Sequence, residues 1–335
     1  MDHTLYQVAQ QPSRSGAQMA QLYQLATAPG NPRSLAVRLG WGLLLVADLL
    51  LASGLIFWIA ANWQTQTRMF KLGLIEGALA LSVLAACLWP RGRLPALLCA
   101  TLALGGLLAF IGQTYQTGAD AWQLFAVWAA LSLVWVASAR SDVLWTVWVL
   151  IAATGIVMWT GRIDLWNVLF GARQGIALML WNMGLWLALL LVPTLMSCVA
   201  VLRLPQGMGW WSHRVALACA LTAWVAMGVS SLVDSMLRQS VSVVFLVCVL
   251  VAGALLLSLR GRWQDFISVC LSALAANVMV LSLVTRWAVE SNEAEVVMLA
   301  CSAAGLLCLG GTVMGLVAVQ RRMRQQAAAV HKGQA

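Results

Sequence analysis

The stretch ALLCATLALGGLLAFIGQTYQTGADAWQLFAVWAALSLVWVASA, Ala96 to Ala139, sets two long apolar runs on either side of a short polar break. The break, Phe110 to Phe125, holds three glutamines, two threonines, a tyrosine and an aspartate, and no basic residue. The flanking runs are continuous and rich in Leu and Ala. They do not alternate polar with apolar, so they read as helices and not as strands. In hydrocarbon every backbone amide must be satisfied internally, which leaves helices or closed barrels as the spanning forms. The stretch therefore predicts two membrane helices joined by a tight polar turn.

Outward from it the pattern repeats. The chain has 335 residues, of which 62% are hydrophobic and 9% charged, with mean hydropathy +0.86. A soluble domain carries about 25% charged residues. Ten apolar runs are expected to be helices: Trp41–Ala61, Phe70–Trp89, Ala96–Ile111, Ala121–Ala139, Val143–Trp159, Gly175–Leu202, Val215–Met236, Val241–Leu259, Phe266–Thr285 and Val296–Gln320. Most approach the ~20 residues that a bilayer core needs. The third is short and can continue through Thr117. The sixth is long and carries Pro193, which is expected to bend it where the Leu189 carbonyl loses its partner. The expected fold is an all-α, polytopic integral membrane bundle of about ten helices.

The net charge of +9 reports orientation, not affinity for nucleic acid. With a cytoplasmic N-terminus, 14 Lys and Arg fall on the cytoplasmic side, including Arg91, Arg93, Arg140, Arg203, Arg214, Arg260 and Arg262. Six fall outside: Arg68, Lys71, Arg162, Arg173, Arg238 and Arg286. That is a clear positive-inside bias, so both termini are expected in the cytoplasm. No small-residue cleavage site follows the first run, and helix one is expected to act as its own signal. These flanks suit a bacterial inner membrane. The organisation reads as a short cytoplasmic segment (1–40) with one amphipathic helix around Met19–Ala26, a first membrane half (41–160), a second half (161–320) and a basic cytoplasmic tail (321–335). Segment Arg162–Arg173, with IDLWNVLF, is either an interfacial helix or a loop dipping into the headgroups. Five plus five helices would allow an inverted repeat, but the halves share no visible polar motif.

Several function classes lose support. The histidines are His3, His213 and His331, all expected outside the spans, so no Ser–His or Cys–His relay and no paired haem ligands can form in the membrane. There is no Walker A loop, GxGxxG or HExxH. The eight cysteines make no CxxC and read as small apolar packing residues, with no disulfide frame, metal or cofactor. Tryptophans at span ends, Trp41, Trp63, Trp89, Trp122, Trp159, Trp210, Trp211, Trp263 and Trp287, read as an interfacial belt.

The polar residues carry what remains. Gly118 suits the position that ends helix three with φ > 0. Asp120 suits the N-cap of helix four, with Gln123 three places on as in a capping box. Gln113, Tyr115 and Gln116 are not explained by that turn. Buried amides need partners, and Asn62, Gln64 and Thr65 after helix one are the nearest on the same side. Together they would line an outer vestibule, although Asn62 can also be read as a left-handed cap. Asp48 lies roughly 10 Å into helix one at 1.5 Å per residue. Glu76 lies in Gly73-Leu74-Ile75-Glu76-Gly77. Intramembrane acids are functional candidates by default. The plainer alternatives are a protonated Asp48 bonded to a neighbouring helix and a Glu76 paired with Arg68 or Lys71. Asn182 and Asn277 read as interhelical glue, Asp234 and Arg238 as a surface pair, and Gly311 with Gly315 as a small-residue face for packing within the chain or against a partner.

FWIAANW at the end of helix one, then R-x-x-K-L, then FIGQTYQTGADAWQLFAVWA, resembles the bacterial membrane-protein family known as domain of unknown function 2157. The matching positions are Asn62, Trp63, Lys71, Leu72 and Gly112 through Leu124, and the resemblance spans about Leu35–Trp159. It implies a multi-pass inner-membrane protein and brings no activity. Some relatives look like partners of another multi-pass family with a GDYxxLxY signature, a motif absent here.

The resulting expectation is a non-enzymatic membrane protein that moves a small solute or proton. Asp48 and Glu76 would be its ionisable groups, and Asn62, Gln113, Tyr115 and Gln116 its entrance. The alternative is an accessory subunit of a membrane complex. The expected partners are the lipid bilayer and another multi-pass membrane protein, with no nucleic acid and the small-molecule substrate unknown.

Overall fold

The computed structural model describes residues 33–62, 66–115, 118, 120–160, 176–198, 209–233, 240–259, 265–291 and 293–333. They form α1 (Arg33–Ala61), α2 (Arg68–Leu88), α3 (Arg93–Tyr115), α4 (Ala121–Ala139), α5 (Asp142–Trp159), α6 (Ile176–Cys198), α7 (Trp210–Val233), α8 (Ser240–Leu259), α9 (Phe266–Val289) and α10 (Ala294–Gly333). A 3-10 turn, Pro90–Gly92, joins α2 to α3, and no strand occurs among the described residues. Helices α2 to α10 are each long and apolar enough to cross a membrane; within α1 the described apolar stretch is Gly42–Leu51.

The chain divides into two compact units, Met1–Trp63 and Gln64–Ala335. The first contains α1. Ser53 donates to the Leu49 carbonyl inside it, and Leu50, Leu51 and Phe57 on its surface are exposed.

In the second unit α2 packs on α3, and α4 on α5. α7 is the hub, touching α5, α6, α8 and α9, whereas α10 rests on α9. The short links explain the first two pairs: residues 140 and 141 alone separate α4 from α5, so those helices must run antiparallel side by side. Gly105 lets α3 and α4 approach, because a Cβ there would run into the Trp128 ring. Gly228 does the same for α7, with Met279 of α9 at 2.8 Å and Val247 of α8 at 3.2 Å from the place a Cβ would take.

Tryptophans staple this unit from within. Trp128 Nε1 donates to the Thr101 carbonyl at 2.8 Å, and Trp135 Nε1 to Thr101 Oγ1 at 2.9 Å, tying α4 to α3. Trp148 Nε1 donates to the Ala129 carbonyl at 2.8 Å, tying α5 to α4. Trp224 Nε1 reaches the Met183 carbonyl at 3.3 Å, tying α7 to α6. Each satisfies its one donor, and Trp148 and Trp224 are buried as well. The interfacial-belt reading thus covers only part of the indole population.

Other elements differ in their bounds from what was expected. α3 runs from Arg93 to Tyr115, longer at both ends than Ala96–Ile111. α6 continues through Pro193, and the Thr194 hydroxyl donates to the Leu190 and Leu191 carbonyls in that turn. Neither of these is the Leu189 carbonyl, which Pro193 leaves without its amide partner. The basic segment after Gln320 continues α10 as helix to Gly333. The Met19–Ala26 helix, IDLWNVLF and the Asp234–Arg238 pair lie outside the described residues.

Candidate functional site

The residues expected to form a polar path are divided between the two units, Asp48 and Asn62 in the first and Glu76, Gln113 and Tyr115 in the second. Asp48 lies within α1, but its side chain is outside the described residues, as is Gln116. Asn62 is not left-handed; its side-chain amide and its backbone N–H both donate to the Trp58 carbonyl, closing the last turn of α1. Asn62 belongs to the first unit and Gln113 to the second, so the vestibule remains a sequence expectation. Gln113 is exposed, and Tyr115 is 61% exposed at the end of α3. Glu76 is exposed on α2, and no ion pair joins it to Arg68 or Lys71 among the described residues. Gly73 and Gly77 have no packed neighbour within 4 Å of a Cβ position.

The polar turn itself is built largely as its sequence suggests. Gly118 takes φ 65°, the left-handed conformation that glycine adopts without a Cβ clash. Asp120 stands at the N-cap of α4 with extended backbone, but its side chain makes no capping bond. Its Oδ2 accepts instead from Trp122 Nε1 at 3.3 Å, and the Gln123 backbone N–H goes to the Asp120 carbonyl at 3.0 Å. The side-chain bond that defines a capping box is therefore absent.

A polar cluster that the sequence reading missed joins the starts of α5, α7 and α9. Asp142, in the first turn of α5, accepts the Trp211 N–H at 2.9 Å and the Ser212 N–H at 3.0 Å. One helix thus caps another, placing a carboxylate where the α7 macrodipole is worth ~+0.5 charge. Arg214 grips Asp265 with two bonds, Nε to Oδ2 at 2.9 Å and NH2 to Oδ1 at 2.6 Å. The same Asp265 caps α9 by accepting the Ser268 N–H and hydroxyl. Burial pushes the Asp265 carboxyl up, but the bonds from Arg214 and Ser268 outweigh it and hold the group below the ordinary carboxylate range. The Arg214 guanidinium also lies 5.3 Å from the Trp211 ring centroid and 5.8 Å from that of Trp210. All four carboxylate oxygens are engaged, so the cluster locks three helix ends. Arg214 entered the sequence reading only as one positive-inside charge.

A second feature is a cleft of about 420 Å³ between α4 and α6, floored by α5. Trp122, Phe125, Trp148, Trp159, Trp181 and Leu185 are among the residues of its wall. Gly155 lets α5 lie close under Phe125, whose Cβ is 3.1 Å from the place a Cβ would occupy.

The amides sort themselves. Asn277 Nδ2 donates to Thr312 Oγ1 at 2.8 Å while that hydroxyl points back to Asn277 Oδ1 at 3.2 Å, a reciprocal link between α9 and α10. Asn182 is 2% exposed and its Oδ1 has no hydrogen-bond partner among the described residues. Gly311 and Gly315 are exposed, with no atom of the described residues within 4 Å of a Cβ position. Among the described residues no group of His, Cys, Asp and Glu could hold a metal ion.

Residues 12–145 match the family model described as "Predicted membrane protein (DUF2157)". The match takes in α1 to α4 and the first turn of α5, including the polar turn at Gly118. It reaches further toward the N-terminus than the motifs alone suggest and stops before the rest of α5. The DUF2157-like part therefore holds Asp48, Glu76 and Asp120, while Arg214, Asp265 and most of the cleft floor lie beyond it. Neither the curated proteins nor the solved structures yielded a match. The chain is a membrane protein with several apolar spanning helices, and the DUF2157 description carries no activity.

Proposed function

We propose that this chain is a non-enzymatic accessory subunit of a membrane protein complex, and that α10 carries its partner contact. The carrying observation is that none of the apolar span of α10 is buried, although it is as apolar as its buried neighbours. Its outward face presents Leu307, Gly311, Met314 and Gly315, a small-residue surface on which another helix can approach closely. The hydroxyls inside the second unit also favour this reading over a conduit. Thr101, Ser132, Ser230 and Ser258 each donate to a carbonyl of their own helix and so turn their hydroxyls back on the backbone. The reading places both termini in the cytoplasm of a bacterial inner membrane, on the strength of the Lys and Arg asymmetry.

The test is isolation in native-lipid particles with mass spectrometry of the co-isolated chains. A stoichiometric second membrane protein, lost when Gly311 and Gly315 are both changed to leucine, is the expected result. Deleting residues 1–32 separates a contact through the N-terminal segment from one through α10.

Movement of a solute or proton is the second reading, favoured by Glu76, an exposed carboxylate on a spanning helix with no ion-pair partner among the described residues. It predicts that Glu76→Gln and Asp48→Asn fold normally and abolish a pH-dependent phenotype. Wild-type behaviour of both variants at every pH would remove it.

A further inference from the structure

We propose that the cleft between α4 and α6 binds one acyl chain of a phospholipid whose headgroup carries a primary amine. The wall is almost wholly carbon. Of its indole donors, that of Trp148 is given to the Ala129 carbonyl and that of Trp122 to Asp120. A polar ligand body would lose its water and gain few bonds in return. An apolar chain loses nothing on entry and supplies the dispersion contacts that an empty cleft forfeits. The volume, about 420 Å³, lies within the range of built ligand pockets.

The headgroup class follows from one end of the cleft. Trp122 stands in the first turn of α4, Trp159 closes α5, and Trp181 lies in the second turn of α6. Three indoles at one level are what the membrane–water interface selects. At that level sits Asp120, exposed, held against Trp122, and without an ion-pair partner among the described residues. A carboxylate there complements an ammonium that can donate hydrogen bonds. A glycerol headgroup offers no cation, and a choline offers no N–H. Chain and headgroup are thus read by different residues, which makes the two halves of the proposal separable.

The experiment uses the full chain reconstituted in phosphatidylcholine vesicles. These contain a small fraction of either phosphatidylethanolamine or phosphatidylglycerol bearing a photoactivatable diazirine on one acyl chain. Adducts are expected to concentrate on peptides from α4, α5 and the Trp181–Val192 part of α6. The ethanolamine probe should label about threefold more than the glycerol probe, the ratio one exposed ion pair can give. Ala126→Trp and, on the facing wall, Ala188→Trp fill the cleft and should each remove those adducts. Asp120→Asn, outside the apolar wall, should level the two probes. Adducts spread evenly over α2 to α10, adducts that survive both filling variants, or equal labelling of the wild type by the two probes would each overturn the proposal. The wild-type probe ratio needs no variant, so a filling variant that fails to fold does not block the test.

Discussion

α7 and α10 are both long, apolar and uncharged through their middles, and they have opposite fates. Half of the α7 span is buried and none of the α10 span is. The difference does not come from hydrophobicity, which gives little drive for one membrane helix to choose another when lipid is equally apolar. It comes from shape and directed bonds. α7 carries Trp224, 1% exposed and bonded across to α6, and Gly228, where α8 and α9 close in. Its start is capped by Asp142 of α5 and tied through Arg214 to Asp265 of α9. α10 has one reciprocal amide–hydroxyl link, Asn277 to Thr312, and its glycines face open space.

This contrast can be attacked at four points. The largest effect should come from Trp224→Ala, which removes a buried ring and its interhelical bond, at a cost of ~3–5 kcal/mol. Reversible denaturant titration in mixed micelles measures it. A loss below about 1 kcal/mol would mean that α7 is not a packed hub.

Next is Asp265→Asn, which leaves Arg214 without its carboxylate and should cost ~2–3 kcal/mol. The folded carboxyl lies below its unfolded value of about 3.9. A depressed acid contributes stability above the unfolded value and loses it as pH falls through the folded one. The gap in melting temperature between wild type and variant should therefore hold from pH 7 down to about pH 4 and close below it. A gap that widens in acid would contradict the charge assignment.

Gly228→Leu should cost ~1–3 kcal/mol through overpacking against Val247 and Met279. Gly228→Ala should cost less, because the Met279 thioether is the flexible end that gives way first. The smallest effect should come from Gly315→Leu, within about 0.5 kcal/mol of wild type in the isolated chain. If Gly228→Leu and Gly315→Leu destabilise alike, the two helices are not different in kind.

The fold was legible because a bilayer reduces the choices to few. Long non-alternating runs had to be helices, and nine of the ten expected spans correspond to α2–α10, helices long and apolar enough to cross. Gly118 was legible because a two-helix turn needs a residue at φ > 0, and glycine stood in place. The side chain of Asp120 was misread because a local rule, the capping box, lost to a nearer donor, the Trp122 indole. Asp142, Arg214 and Asp265 were not assembled because their partners lie 51 to 70 residues apart along the chain, beyond any local pattern. Tryptophans 128, 135, 148 and 224 carried a usable signal: an indole in mid-span has a donor that lipid cannot satisfy, so it must find a neighbouring helix. Glu76 was legible as unusual, and the structure sharpens that by leaving it exposed and without an ion-pair partner among the described residues.

The most direct measurement is the mass of the intact particle carried out of the membrane with its native lipid. For the wild type, the account predicts a second membrane-spanning chain in fixed ratio. For the Gly311→Leu, Gly315→Leu variant it predicts loss of that chain with an unchanged melting temperature. A single chain per particle in both samples would contradict it.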